Sequence, residues 1–224
     1  MIILIDAENA DLHKDLLEDM YRCRADVFDT RLGWDVQTYN GLEIDEFDKL
    51  DPTYVVSVCD QTGLFRGSAR LLKTTGRNML GNVFGAILDG QPKIADPNVL
   101  ESSRFSVSMD MPRQSCLEST IQITTVELLL GLIEATQLAG CKQIVSVFDA
   151  RMARLFRRLN CKPDPVGTPK RFGKAMAYAG LFDATDAQWR AIAANAQIEG
   201  SIIRDLPVGY QIPQSVAEPA CLSA

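Results

Sequence analysis

Residues 118–149 read ESTIQITTVELLLGLIEATQLAGCKQIVSVFD, and their reading decides the fold. Over residues 118–138 the pattern predicts the longest helix of the chain, stopped by Gly140. QIVSVFD (143–149) is a short apolar run, as expected of a central buried strand. Upstream of the helix, ESSRFSVSM (101–109) alternates and predicts a further strand. A strand–helix–strand unit therefore occupies the middle of the chain.

Outward from that unit, TYVVSVCD (53–60) and LFRGSARLLKTT (64–75) are β-rich runs joined by the tight turn QTG, a hairpin signal. Leu12, Leu16, Met20, Cys23 and Val27 recur every three or four positions, so residues 12–28 predict an amphipathic helix. Residues 29–52 are acidic and irregular, broken by Gly33 and Gly41, and residues 76–98 are punctuated by Gly and Pro around a short apolar stretch at 83–88. A brief basic helix is expected at 151–159, a strand at 171–180 (RFGKAMAYAG) and a helix at 184–198. This order gives an α/β (α+β) fold, a three-layer α/β/α sandwich around a mixed, mostly antiparallel sheet. The same succession occurs in N-acetyltransferase-like folds, an analogy of fold that carries no chemistry. One domain is expected over residues 1–224, with 1–52 as a mobile N-terminal arm and helix and the proline-bearing 205–224 as a loose tail.

At 224 residues, 46% hydrophobic and 23% charged, the chain can bury a sizeable core. No run approaches the ~18 consecutive apolar residues of a membrane span. MIILIDAEN meets an acid at Asp6 and has no basic region, so no secretory signal or membrane partner is expected and the simplest location is the cytoplasm. The six cysteines (Cys23, Cys59, Cys116, Cys141, Cys161, Cys221) never form CxxC, which argues against a disulfide framework or zinc site. His13 is the single histidine, so most imidazole-dependent metal and triad chemistry is excluded and no metal is expected. The net charge of −6 argues against a nucleic-acid partner. Its distribution is more informative. Residues 1–51 hold 14 acids against 5 bases, a net −9, whereas residues 151–174 hold 8 bases against one acid, a net +7. An acidic chain with one concentrated basic segment suits an acidic partner.

GxGxxG, GxxxxGK[ST], HExxH and GxSxG are all missing, so the common nucleotide and hydrolase readings fail. What remains in the first half is a set of spaced charges and aromatics: Arg24, Phe28, Trp34, Glu43, Asp45, Asp48, Arg70, Phe84, Glu101, Ser103 and Arg104. The acids of LEIDEFD do not match a calcium loop, which needs alternate ligands and a central Gly. Arg70 and Arg104 lie within apolar strands, where a charge is costly unless paired. Three arginines against three or four carboxylates predict an ion-pair cluster, with a structural cluster and a polar ligand site both open.

RCRADVFDTRLGWDV (22–36), GLEIDEFD (41–48), ARLLKTT (69–75), Phe84 and ESSRF (101–105) together resemble the acyl-homoserine lactone synthase family, the bacterial autoinducer synthases. The family's near-invariant positions are matched by Arg24, Phe28, Trp34, Asp45, Asp48, Arg70, Phe84, Glu101 and Arg104, without a departure in that set. The resemblance implies the N-acetyltransferase-like fold and a two-substrate acyltransferase. An acyl chain on acyl carrier protein passes to the amine of S-adenosylmethionine, and lactonisation then releases methylthioadenosine, making a quorum-sensing signal. S-adenosylmethionine is a substrate, and no cofactor is implied. Phe28 and Trp34 suit a sulfonium cation through cation–π contact. Arg24, Asp45, Asp48, Arg70, Phe84, Ser103 and Arg104 complete the implied S-adenosylmethionine site, with an arginine for the carboxylate. The implied bases are Glu101 and Glu43, and a carboxylate must be desolvated or act through water to suit an amine.

RQSCLES (113–119) lacks glycine where N-acetyltransferases that hold coenzyme A carry a glycine-rich loop, which favours a carrier-protein donor. A CoA-dependent N-acyltransferase of the same fold is the alternative. Arg151, Arg154, Arg157 and Arg158 lie on or near one face of the short helix and are expected to dock the acidic carrier. The acyl-chain pocket is expected between the long helix and strand 143–149, with Leu128, Leu132 and Phe148 as wall. Ser146 stands where the resemblance implies a hydroxyl associated with 3-oxo substrates.

Overall fold

The structure, a computed structural model, describes residues 1–109, 121–173 and 175–205. In chain order its elements are β1 (Ile2–Ile5), α1 (Lys14–Ala25), β2 (Thr38–Tyr39), β3 (Leu42–Glu43), β4 (Thr53–Val58), β5 (Phe65–Lys73), α2 (Met79–Asn82), β6 (Val99–Val107), α3 (Ile123–Leu138), β7 (Gln143–Asp149), α4 (Ala150–Arg158), β8 (Asp164–Phe172), β9 (Ala175–Asp183), α5 (Asp186–Ala193) and β10 (Ile203–Asp205). The main sheet has eight strands in the order β10-β1-β4-β5-β6-β7-β9-β8, while β2 and β3 form a separate small hairpin. Only the β1/β10 and β6/β7 pairs are parallel, so the sheet is mixed and mostly antiparallel, as expected.

Alternation along the strands sorts side chains to two faces. Ile2, Leu4, Val55, Ala69, Leu71, Leu100 and Ile144 face α3, with Phe156 of α4 and Ile192 of α5 in the same cluster. Gly131 lets α3 lie close on the sheet: a Cβ there would sit 2.8 Å from Val55 Cγ1 and 3.0 Å from Ile2 Cγ1. The opposite face is covered by α1 over Ile3, Ile5, Tyr54 and Val56, and by the α2 region over Leu72, Val99 and Val145. These are the three layers expected from the element order. Among the described residues no helix is long and apolar enough to cross a membrane.

The departures from expectation have physical reasons. The opening segment, expected to be a mobile arm, begins as an inner strand: β1 is buried along its length and paired on both sides, and its four apolar residues fit a doubly covered position. The helix expected at 12–28 is shorter. It starts at Lys14 and ends at Ala25 in a wide π-helical turn, Asp26–Arg31, that carries Val27 and Phe28 inward. Residues 29–52 hold the β2–β3 hairpin and a 3-10 turn, Glu46–Lys49. The strand expected at 171–180 is two strands, β8 and β9, with the turn at Gly173, whose φ is +55°. β8 contains Pro165 and Pro169, which hid it, and both are tolerated because β8 is the sheet's edge. Within the described residues the long helix starts at Ile123; the glycine-free stretch 113–119 lies outside them. β10 ends on Asp205, and the rest of the expected tail is likewise outside the described residues.

Candidate active site

One irregularity in β6 organises the site. Arg70 pairs with Ser103 but Ser68 with Ser106, so β6 carries one extra residue between them. That bulge falls at Arg104, which adopts a left-handed φ of +54°. A non-glycine residue held there costs on the order of 1–3 kcal/mol. Plain alternation would send Arg104 to the α3 face. The bulge turns it to the α1 face instead, beside Ser103, while Phe105 packs into the α3-side core.

On the α1 face three guanidiniums meet three carboxylates. Arg24 donates from Nε to Glu43 (2.6 Å) and from Nη1 and Nη2 to the two oxygens of Asp48 (2.8 and 2.9 Å). Arg70 donates from Nη1 to Asp45 (2.6 Å) and Asp48 (2.7 Å), and from Nε to Ser103 Oγ (3.2 Å). Arg104 joins Glu43 and Asp45, both at 2.9 Å. Asp45 caps the 3-10 turn by accepting from the amides of Phe47 and Asp48, and Asp48 accepts from the Asp45 amide in return (2.8 Å). LEIDEFD is thus folded around a capping box, with Glu43, Asp45 and Asp48 turned inward and Glu46 exposed beside Arg77. Tyr54 adds a hydroxyl donated to Asp48 (2.8 Å). Burial pushes the Asp48 carboxyl up, but Arg24 and then Arg70 outweigh it and hold it well below the usual carboxylate range.

Glu101 stands apart from this network. Its two oxygens accept the amides of Met79 (2.7 Å) and Leu80 (2.6 Å), tying β6 to the first turn of α2. Burial raises its pKa above the ordinary value, against the lowering influence of those amides and of Arg70 and Arg104. Met79 also places its sulfur 3.3 Å from Arg70 Nη2 and 3.5 Å from Arg104 Nη1. Phe28, Trp34 and Phe84 form a chain of rings, 5.5 Å between the first two centroids and 6.2 Å between the last two. The Arg104 guanidinium lies over Phe28 at 5.1 Å.

β6 and β7 are hydrogen-bonded in parallel from Val99/Gln143 to Ser102/Ser146, and their pairing ends there although both strands continue. A cavity of about 350 Å³ lies at this split and is lined from both faces of the sheet. On the α1 side its wall includes Phe28, Trp34, Met79, Phe84, Glu101 and Arg104. On the α3 side it includes Thr125, Leu132, Ser146, Phe148, Phe156 and Ile192. The α1 side is polar and aromatic and the α3 side mainly apolar, with Thr125, Ser146 and Arg151 among its polar residues, and the two meet where the strands part.

The expected site residues therefore divide. Phe28, Trp34, Phe84, Glu101, Ser103 and Arg104 line the cavity. Arg24, Glu43, Asp45, Asp48 and Arg70 do not line it; they form the charged frame behind Arg104, and Glu43 is 1% exposed with both oxygens engaged by arginines. Of the expected acyl pocket, Leu132, Ser146 and Phe148 line the cavity, but Leu128 is turned to β5, where a Cβ on Gly67 would lie 3.2 Å from its Cδ1. The Ser146 hydroxyl donates to the Ser102 carbonyl (2.9 Å). Arg151, Arg154, Arg157 and Arg158 are exposed on α4, and Arg151 also lines the cavity. Sequence reasoning passed over Met79, Tyr54 and Thr125, since an apolar residue in a short helix, a strand tyrosine and a helix threonine carry no motif.

The autoinducer synthase family model matches residues 8–192. An acyl-homoserine-lactone synthase of Rhizobium etli is 35% identical over 193 residues, 82% of this chain and 88% of that protein. The structure of a CoA-dependent acyl-homoserine lactone synthase, MesI, superposes with a TM-score of 0.77 at 25% identity, covering 92% of this chain and all of that one. A putative N-acetyltransferase from Lactobacillus plantarum, 13% identical with a TM-score of 0.52 over 82% of this chain and 99% of its own, shares the fold alone. By the match over residues 8–192 and the identity across most of both chains, this chain belongs to the autoinducer synthase family, the acyl-transferring enzymes that are acyl-homoserine-lactone synthases.

Proposed function

We propose that this synthase takes S-adenosylmethionine in the chamber under α1 and an acyl chain, delivered on acyl carrier protein, in the chamber under α3. The observation that carries the reading is the cavity at the β6/β7 split, which joins a polar aromatic wall to an apolar one around Glu101. The sulfonium lies against Phe28, Trp34 and Phe84, where cation–π contact contributes roughly 0.5–2 kcal/mol. Arg104, aimed by its bulge, orients the carboxylate. Glu101, with its raised pKa, takes a proton from the ammonium directly or through water. The freed amine nitrogen then bonds to the thioester carbon; as the carbon–sulfur bond breaks, the sulfur leaves with its electron pair and takes the second proton that the nitrogen gives up on becoming an amide, departing as the thiol. In the second step a carboxylate oxygen bonds to the γ-carbon while the carbon–sulfur bond breaks, releasing neutral methylthioadenosine and closing the lactone.

Glu43 is the weaker base, because Arg24 and Arg104 occupy its oxygens and it lies away from the cavity wall. It is read here as the anchor that holds Arg104. The exposed arginines of α4 support an acidic carrier as donor. A CoA thioester is the second reading, favoured by the likeness to the CoA-dependent MesI. Incubation with S-adenosylmethionine and one acyl group on either carrier separates them. Methylthioadenosine and lactone should form in equal amounts, with higher kcat/KM from acyl carrier protein. If neither donor yields lactone, the function is wrong; if only the CoA thioester does, the carrier assignment is.

A further inference from the structure

α2 opens, like any helix, with amides that find no acceptor within the helix itself. Here each has a named partner. Asn78 donates its own amide to Asn82 Oδ1 (3.2 Å), Met79 and Leu80 donate to Glu101, and Gly81 donates to Asn78 Oδ1 (2.8 Å). The Asn78 side chain is 5% exposed, and its Nδ2 donates to the carbonyls of Thr74 and Gly76, both at 3.1 Å. It is therefore fixed at three points, two on the chain that leaves β5 and one on α2. The fit at the third is close: a Cβ on Gly81 would lie 3.1 Å from Asn78 Oδ1 and 3.0 Å from Lys93 Cδ.

What this cap protects is the aim of Glu101. The amides of Met79 and Leu80 take one lone pair on each carboxylate oxygen. That fixes the plane of the carboxylate and leaves a second lone pair on each oxygen for the cavity that Glu101 lines. Without the Asn78 oxygen, the Gly81 amide has no acceptor. It then competes for Glu101, or turns to water as the helix start opens, and either course weakens the two bonds to the carboxylate. The charged groups that act on Glu101 are Arg70 from β5 and Arg104 from β6 itself. Its partner on β7 is Val145, and α2 carries no charge. Beside the turn lie Arg77, paired with Glu46, and Lys93, packed on Gly81.

Resting on the reading of Glu101 as the base, we infer that Asn78 is a positioning residue of the reaction: by taking the third amide of the α2 turn it keeps the first two on Glu101. Asn78 does not line the cavity and acts only through that carboxylate. The two amides favour the ionised form of Glu101 and partly offset the burial that raises its pKa. Loss of the cap therefore leaves the carboxyl protonated to higher pH, and the acid limb of the rate moves up.

The test follows kcat against pH at saturating S-adenosylmethionine with one acyl donor, in the carrier form that the wild type uses. Asn78→Ala should move the acid limb up by about one pH unit, a roughly tenfold lower rate on the limb, in keeping with the loss of about one hydrogen bond to a charged group. KM for S-adenosylmethionine should hold. Asn78→Ser lacks Nδ2 just as alanine does but restores an acceptor for the cap, and should return the limb to its wild-type place. Asn78→Gly removes the same oxygen at little cost to the helix start and should reproduce the displaced limb, so the outcome does not depend on the alanine variant folding. A wild-type limb in the alanine and glycine variants, or a serine limb displaced as far as alanine's, would overturn the inference. Glu101→Gln with wild-type kcat overturns the base and with it the role of Asn78. Lost turnover in Glu101→Gln beside unmoved limbs in the Asn78 variants overturns the role of Asn78 alone.

Discussion

Asp48→Asn separates a charged frame from a substrate site. The Asp48 carboxylate takes Arg24 Nη1 and Nη2 (2.8 and 2.9 Å), Arg70 Nη1 (2.7 Å), the Tyr54 hydroxyl (2.8 Å) and the Asp45 amide (2.8 Å). Asparagine keeps one oxygen and turns an NH2 group toward atoms that are all donors. It also leaves three guanidiniums against two carboxylates, with Arg24 and Arg70 both at 0% exposure. Removing one partner of a buried ion pair costs about 3–5 kcal/mol. Two lost hydrogen bonds to charged groups, at about 1.5–3 kcal/mol each, already reach the lower end of that range. For a chain of this size the loss corresponds to a fall in Tm of roughly 6–20 °C. Thermal and urea unfolding at neutral pH measure it, with KM for S-adenosylmethionine taken on the folded protein. A loss below about 1 kcal/mol together with a raised KM would refute the frame and return Asp48 to the substrate. The pH dependence has a defined sign. The folded-state pKa of Asp48 is depressed, so its stabilisation is complete well above the unfolded value of about 3.9 and is lost as pH falls below it. The acid-side fall in stability should therefore be shallower in Asp48→Asn.

Glu101→Gln should lower kcat by about 100-fold or more and, because one α2 amide then faces an NH2 group, lose about 1–3 kcal/mol of stability. With the Glu101 pKa raised by burial, the acid limb of the wild-type rate should lie above the ordinary carboxylate value and the rate should rise with pH across it; a limb at the ordinary value would remove Glu101 as the base. Arg154→Glu with Arg158→Glu should raise KM for an acyl-carrier donor by about 10-fold while KM for S-adenosylmethionine holds; equal effects on both would sink the docking face. Gly67→Ala would bring a Cβ to 2.7 Å from the Ser106 carbonyl, a backbone atom, and should cost about 1–3 kcal/mol by urea midpoint without changing the acyl preference.

The hairpin at β4–β5, the strand–helix–strand unit at β6–α3–β7 and the basic helix α4 were legible because each has one dominant period and a clear stop. β8 was not. Its prolines and glycine break the pattern of a strand, and only its position at the sheet edge makes them compatible with one. β1 was hidden differently: Ile2–Ile5 is too short to show alternation, and its burial comes from β4 and β10, about fifty and about two hundred residues away in sequence. Among the site residues, chemistry was legible where a charge lay in an apolar strand. What could not be read was which of those charges touch the cavity and which brace the ones that do. That depends on the order of layers, and Arg24 and Arg104 are indistinguishable on that point as letters.

The bulge at Arg104 shows how near the sequence comes to disclosing such a detail. In VLESSRFSV, strict alternation puts Leu100 and Ser102 on the α3 face, and would put Arg104 there too, opposite the apolar wall of α3. A guanidinium in that position would be unpaired, and no neighbouring acid on α3 is placed to meet it among the cavity-lining residues. The conflict has two resolutions: either the strand ends before Arg104, or it gains a residue there. Phe105 and Val107 return to the α3-side core and Ser106 pairs with Ser68 (3.1 Å), so the strand continues, and the extra residue is the only way to satisfy both halves. A charged residue on the wrong beat of an otherwise regular strand is thus itself the signature of a bulge. In this protein the same extra residue brings Arg104 to Glu43 and Asp45 and lies where β6 parts from β7, so the strain at one backbone position serves the charge frame and the cavity together.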